Sequence, residues 1–181
     1  MTDVPTSFFT PYDLSDQVAI TVERDLTAGL PVFEKVFRDQ GFVSNKTKPI
    51  IGRVLRGEPT RVGNRAAIRV VVTEKVENWH ATRVKDDIYN FNIDCLSKMT
   101  SKKEEVEKFI NVFGSIVQSY LNRFSNLQPV IAETEPPIAA YDSWAERMQK
   151  GFAQQGTYRV ARISYWIKIL NPYVIRPNLV C

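Results

Sequence analysis

Histidine is almost missing from this chain: His80 is the only one in 181 residues. Zinc centres and acyl-transfer triads of the usual kinds draw on histidine, so both are hard to assemble here. The two cysteines, Cys95 and Cys181, give neither a disulfide framework nor a metal-ligand spacing. They fit a reduced, cytosolic setting. No run approaches the roughly 18 apolar residues that a membrane helix needs. The opening MTDVPTSFFTPYD lacks a basic region ahead of an apolar stretch, so no secretory leader is expected. Neither G-x-G-x-x-G nor a phosphate-loop lysine is present. These absences point to a soluble intracellular product without a cofactor or a resident metal.

An excess of one charge sign is also missing. The 24 Lys+Arg stand against 20 Asp+Glu, and the surplus is scattered along the chain. That balance permits contact with nucleic acid without arguing for it. What the chain does have is apolar residues: 44% are hydrophobic and 11% aromatic, enough for a real core.

The patterning predicts an α+β fold, a mainly antiparallel twisted sheet with amphipathic helices on one face. Residues 1–12 read as an arm in which Pro5 and Pro11 bracket Phe8 and Phe9. Those rings either pin the arm to its own domain or reach a neighbouring subunit. Residues 13–170 read as one domain, with a loop-rich insertion near 128–155, and 171–181 as a proline-bearing tail. A first helix is expected over DLSDQVAITVERDLTAGLP, with Val18, Val22 and Leu26 on one face and Gly29 and Pro31 closing it. PVFEKVFRDQGF fits a second helix, although its first half could be a strand. PIIGRVL reads as a strand and AAIRVVVTEKV as another, β-branched and apolar. ENWHATR, with His80 in it, is expected to turn the chain.

The return strand alternates strictly: Tyr89, Phe91, Ile93 and Cys95 share one face, Asn90, Asn92 and Asp94 the other. A charged helix follows, with Ser101 and Glu104 as a capping box and Glu104, Glu105 and Glu107 in its first turns. Val106, Phe109, Ile110, Phe113, Val117, Tyr120, Leu121 and Phe124 trace its apolar stripe. In SWAERMQKGFAQQG, Trp144, Met148 and Phe152 recur every four residues and suggest a short amphipathic segment. TYRVARISYWIKIL reads as a long half-buried strand.

Catalytic constellations find little support. A Cys95–His80 dyad is the one conceivable nucleophile, and Cys95 reads better as a small core residue. Asp86 and Asp87, adjacent on a strand, point to opposite faces. Two groups of residues stand out instead. Tyr158, Arg162, Trp166 and Lys168 share the less apolar face of the last strand; with Trp144, Phe8 and Phe9 they form a candidate subunit or partner interface. Arg53, Arg56, Arg61 and Arg65 form a candidate basic loop.

The order of elements resembles that of tail-terminator and head-to-tail neck proteins of tailed bacteriophages. The likeness rests on the opening helix ending in TAGLPVF, on IYNFNIDCL followed by SKKEEVEKFINVFGSIVQSYL, and on TYRVARISYWIKIL. It spans roughly residues 14–170 as a pattern of elements. It implies a non-enzymatic virion protein of the neck, the tail terminator first among the components, without cofactors and away from membranes. Such proteins assemble in the host cytoplasm as rings, commonly of six subunits. They cap the tail tube or sheath, join it to the head connector with other neck and tail proteins, and let genomic DNA pass unread. The 128–155 insertion and the proline-bearing tail depart from a minimal terminator. A sequence-independent nucleic-acid-binding module is the alternative, resting on GRVLRGEPTRVGNR with Tyr and Trp nearby.

Overall fold

The computed structural model describes residues 15–42, 49–57, 63–81, 84–98, 103–124, 130–131, 138–139, 142–153 and 157–172. In chain order these give α1 (Ser15–Asp39), β1 (Ile51–Arg56), β2 (Ala66–Ala81), β3 (Val84–Lys98), α2 (Lys103–Phe124), β4 (Val130–Ile131), β5 (Ile138–Ala139), β6 (Asp142–Ala153) and β7 (Tyr158–Pro172). Five strands form one sheet in the order β1-β2-β3-β7-β6, while β4 and β5 pair with each other. The pairings are antiparallel except β1 with β2, which is parallel. The fold is α+β, and both helices pack on one face of the sheet.

α1 is one continuous helix, where the sequence predicted two pieces with a stop at Pro31. Val18, Val22, Leu26, Phe33 and Phe37 are buried along a single face that runs through the proline. An interior proline costs about 3 kcal/mol or more. Burying two phenylalanines beyond it contributes about 3–6 kcal/mol. Pro31 itself is exposed, so water can reach the Thr27 carbonyl that the proline leaves without a donor. The helix stops instead at Gly41, whose φ of 80° is open to glycine. There Phe42 N–H donates to the Phe37 carbonyl (2.9 Å) and Gly41 N–H to that of Arg38 (3.0 Å). The Phe37 and Phe42 rings meet edge to face at 6.0 Å, the apolar contact that accompanies such a cap.

α2 keeps the predicted stripe: Val106, Ile110, Phe113, Val117 and Leu121 are buried. Ser101 and the Phe124 side chain lie outside the described residues. α1 and α2 interlock through aromatic rings, with Phe37 stacked on Phe109 (4.9 Å) and Phe33 edge-on to Tyr120 (4.8 Å). Beneath them the sheet supplies Ile68, Val70, Tyr89, Phe91, Ile93, Cys95, Ile163, Tyr165, Ile167 and Ile169.

Two further expectations are corrected. β2 runs to Ala81 and β3 begins at Val84, so His80, expected in a turn over 77–83, is a strand residue near the end of β2. Residues 142–153 are not a free amphipathic segment but the edge strand β6, paired with β7 along Asp142–Ala153. The pairing slips between Ala145 and Met148, so four-residue spacing there does not mark a helical face. At the slip α2 takes hold of the strand: Ala145 N–H donates to Asn122 Oδ1 (3.0 Å), and Asn122 Nδ2 donates to the Ala145 carbonyl (3.4 Å). A side-chain amide thus serves both backbone groups as a neighbouring strand would.

Candidate functional site

The alternation of β2, β3 and β7 sends Arg69, Asp94 and Arg162 to the sheet face opposite the helices. Register then aligns them, Arg69 opposite Asp94 and Asp94 opposite Arg162. Asp94 is 0% exposed. Arg162 grips it with two donors, Nε to Oδ1 at 2.6 Å and Nη2 to Oδ2 at 3.0 Å. Arg69 approaches from the other side, Nε to Oδ2 at 3.0 Å with Nη2 on the same oxygen. The carboxylate is therefore saturated, and it holds the Arg162 guanidinium above its ordinary range, chiefly through the hydrogen bond. Two cations on one anion leave an excess of one positive charge. The two guanidiniums differ in access: the Arg69 side chain is 12% exposed and that of Arg162 43%.

A second ionic group lies farther along the same face. Asp86, also buried, takes Lys168 Nζ at 3.0 Å and His80 Nε2, both on Oδ2. Its neighbour Asp87 points to the opposite face, where Lys75 Nζ lies 3.6 Å away. The two carboxylates thus serve different faces and do not pair for acid–base work. Between the two ionic groups Trp166 is half-buried and stands opposite Trp144 of β6, which is 49% exposed. The 142–153 segment therefore lies beside Trp166 within the sheet instead of covering it.

Of the candidate interface residues, Arg162, Trp166, Lys168 and Trp144 share this helix-free face. Tyr158 is on it too, but buried at one end with Ala67, Leu96 and Val160. Its hydroxyl donates to the Gly63 carbonyl at 3.3 Å. Phe8 and Phe9 lie outside the described residues. The basic stretch does not gather into one patch: Arg56 turns to the helix side and pairs with Glu23 (3.7 Å), while Arg53 and Arg65 are exposed elsewhere. Arg61 lies outside the described residues.

The thiol and the histidine lie on opposite sides of the sheet. Cys95 faces the helix-side core, and burial, then the nearby Asp94 charge, pushes its thiol well up, away from the reactive thiolate. No cluster of metal-ligating side chains occurs among the described residues. A groove of about 490 Å³ runs between α1 and α2, lined by Val32, Val36, Val112, Ile116, Phe33 and Tyr120 among others. Among the described residues the titratable side chain that lines it is Tyr120, whose phenol burial raises above its ordinary value.

Arg69 is the member of these groups that the sequence did not single out; Asp86 and His80 were weighed there only as catalytic candidates. One signal was visible: a lone arginine inside the apolar run AAIRVVV and a lone aspartate inside NIDCL, each of which needs a buried partner.

No protein-family model and no curated protein matches the chain. Among solved structures, a chain from "Virion of native gene transfer agent (GTA) particle" has the same fold. The TM-score is 0.57 at 9% sequence identity, over 88% of this chain and 99% of that one.

Proposed function

We propose that this protein is a structural component of a phage-type virion, acting in the neck as the tail terminator. The observation that carries the reading is the fold shared with a virion chain over nearly the whole of both. Support also comes from the sheet, which buries one face under helices and offers Arg162, Trp166, Lys168 and Trp144 on the other. Arginine and tryptophan are the residue types that anchor protein interfaces. In this reading identical subunits meet head to tail and close into a ring, commonly sixfold, around a channel for DNA. The ring caps the tail tube and meets other neck proteins, with no chemistry of its own.

The test is particle mass and negative-stain imaging of purified protein across a wide concentration series. Closed rings with a central pore are expected, and Trp166→Ala should shift the distribution to smaller species. Monomer at every concentration, with and without tail tubes, would refute a ring-forming neck role. The nucleic-acid alternative gains nothing from Arg53 and Arg56, which the strand alternation sends to opposite faces of the sheet.

A further inference from the structure

The geometry points to a carboxylate-binding site on the helix-free face, formed by Arg162 and Arg69 over Asp94 and filled by an acidic segment of a partner protein. It rests on the reading of that face as a docking surface, and adds the chemistry of what docks there.

The donors come first. Asp94 uses Nε and Nη2 of each guanidinium, and among the described residues the remaining nitrogen, Nη1, has no hydrogen-bond partner in either arginine. Asp94 cannot take more, since both its oxygens are already occupied. Its role is to hold two guanidiniums, one from each strand flanking β3, on a single carboxylate. Such rigid forks match the geometry of a second carboxylate.

Charge sets the stoichiometry. The Arg69–Asp94–Arg162 row carries one positive charge in excess, and covering it with an uncharged partner would bury that charge unpaired. One incoming carboxylate neutralises it. The half-exposed Arg162 gives access, while Arg69 supplies the fixed second cation beneath.

The surroundings favour a protein over a nucleic acid. A phosphate backbone tracks a succession of uncommitted cations. On this face Lys168 is bound to Asp86, Lys98 holds the Asn64 side chain (2.9 Å), and Arg53 stands apart on the edge strand β1. The exposed acid Glu74 lies on the same face, within 3.4 Å of the Asn90 side chain. From Arg162, Trp166 lies four residues along β7, about 13 Å away. A protein segment with an acidic side chain and an apolar one at that separation would meet the arginine pair and the Trp144–Trp166 shelf together.

The experiment titrates the full chain with a short polyglutamate peptide, a polyglutamine peptide of equal length, and a short mixed-sequence DNA duplex. The readouts are binding isotherms and the Nε–Hε NMR signals of Arg69 and Arg162. Polyglutamate is expected to move both signals, and polyglutamine neither. Arg162→Gln should weaken polyglutamate binding roughly tenfold, as the loss of a charge-assisted pair implies. Arg162→Lys, which keeps the charge and the fold, should still weaken it severalfold. Arg65→Gln, an exposed arginine off the site, should change it less than about twofold.

Equal losses for Arg65→Gln and Arg162→Gln would overturn the site, because the peptide would then be reading net charge alone. Full binding by Arg162→Lys would overturn the role of the fork. DNA binding whose salt dependence flattens in Arg162→Gln, with no response to polyglutamate, would replace the carboxylate with phosphate. Ring formation is followed without peptide in the same preparations. Rings without a carboxylate response would sink the site and spare the neck reading, whereas a carboxylate response without rings would do the reverse.

Discussion

Asp94→Asn removes one charge and leaves the shape of the side chain nearly unchanged, so its cost isolates the electrostatics of the cross-strand row. In the wild-type protein the buried carboxylate accepts two donors from each of two guanidiniums. Removing one member of a buried ion group costs about 3–5 kcal/mol, since it strands the remaining charge. Here two stranded cations face each other, but they do not suffer equally. Arg162, 43% exposed, can turn to water, whereas Arg69, 12% exposed, has little room to do so. The lower end of the range is therefore expected, about 3 kcal/mol. For a chain of this size that is a fall in Tm of about 6–12 °C. Arg162→Gln removes the exposed partner and leaves Asp94 with Arg69, so its cost should be about 1 kcal/mol or less. Urea unfolding followed by tryptophan fluorescence measures both, with an unchanged m-value as the check on two-state behaviour. A neutral Asp94→Asn, or an equal cost for the two substitutions, would refute an electrostatic role for the row. Arg69→Met, Asp94→Leu and Arg162→Met together should be closer to wild type in stability than Asp94→Asn alone.

Gly29 lies where α2 crosses α1, and a Cβ there would stand 2.6 Å from Tyr120 Cζ and 2.8 Å from Phe33 Cζ. The helix-propensity gain of Gly29→Ala, about 1 kcal/mol, is opposed by an overpacking cost of about 1–3 kcal/mol. A net loss should appear in thermal melting, and a net gain would mean that Tyr120 swings aside despite its hydrogen bond to the Asp25 carbonyl (3.1 Å). Burial raises the Tyr165 phenol from 10.0 to about 12, with Ser143 pulling slightly the other way. The folded state thus favours the neutral phenol, and this stability is complete below pH 10 and lost as pH rises towards 12. The loss, about 2–3 kcal/mol, should be missing from base titrations of Tyr165→Phe, and an identical base transition in that variant would assign it elsewhere. Trp166→Ala should weaken subunit assembly more than it lowers the melting temperature of the monomer, and equal losses would make Trp166 a core residue.

What the sequence made legible was whatever repeats locally. The alternation in IYNFNIDCL and TYRVARISYWIKIL placed β3 and β7 and sorted their faces correctly, because a half-buried strand writes its environment every second residue. The stripe of α2 was equally plain. Two errors have one cause, a local signal overruled by packing. Pro31 reads as a stop, yet the buried rings of Phe33 and Phe37 carry the helix past it. The spacing of Trp144, Met148 and Phe152 reads as helical, yet β6 pairs with β7 and slips by Met148 while Asn122 holds Ala145.

The ionic row was illegible for a different reason. Arg69, Asp94 and Arg162 are separated by 25 and 68 residues, and only the register of three strands sets them side by side. Each looks locally like a misplaced charge. Together they satisfy Asp94 and leave a guanidinium fork at the surface. That outcome also bears on why the row exists at all. A well-packed apolar row of the same volume would serve the fold as well or better. Three charged residues that confer little net stability, on the one sheet face that the helices leave uncovered, fit recognition better than they fit folding. The comparison that decides between these is direct. An apolar replacement of all three residues should keep the fold and its melting temperature while abolishing the response to polyglutamate. If that variant cannot fold, the row belongs to the architecture, and the docking reading loses its physical ground.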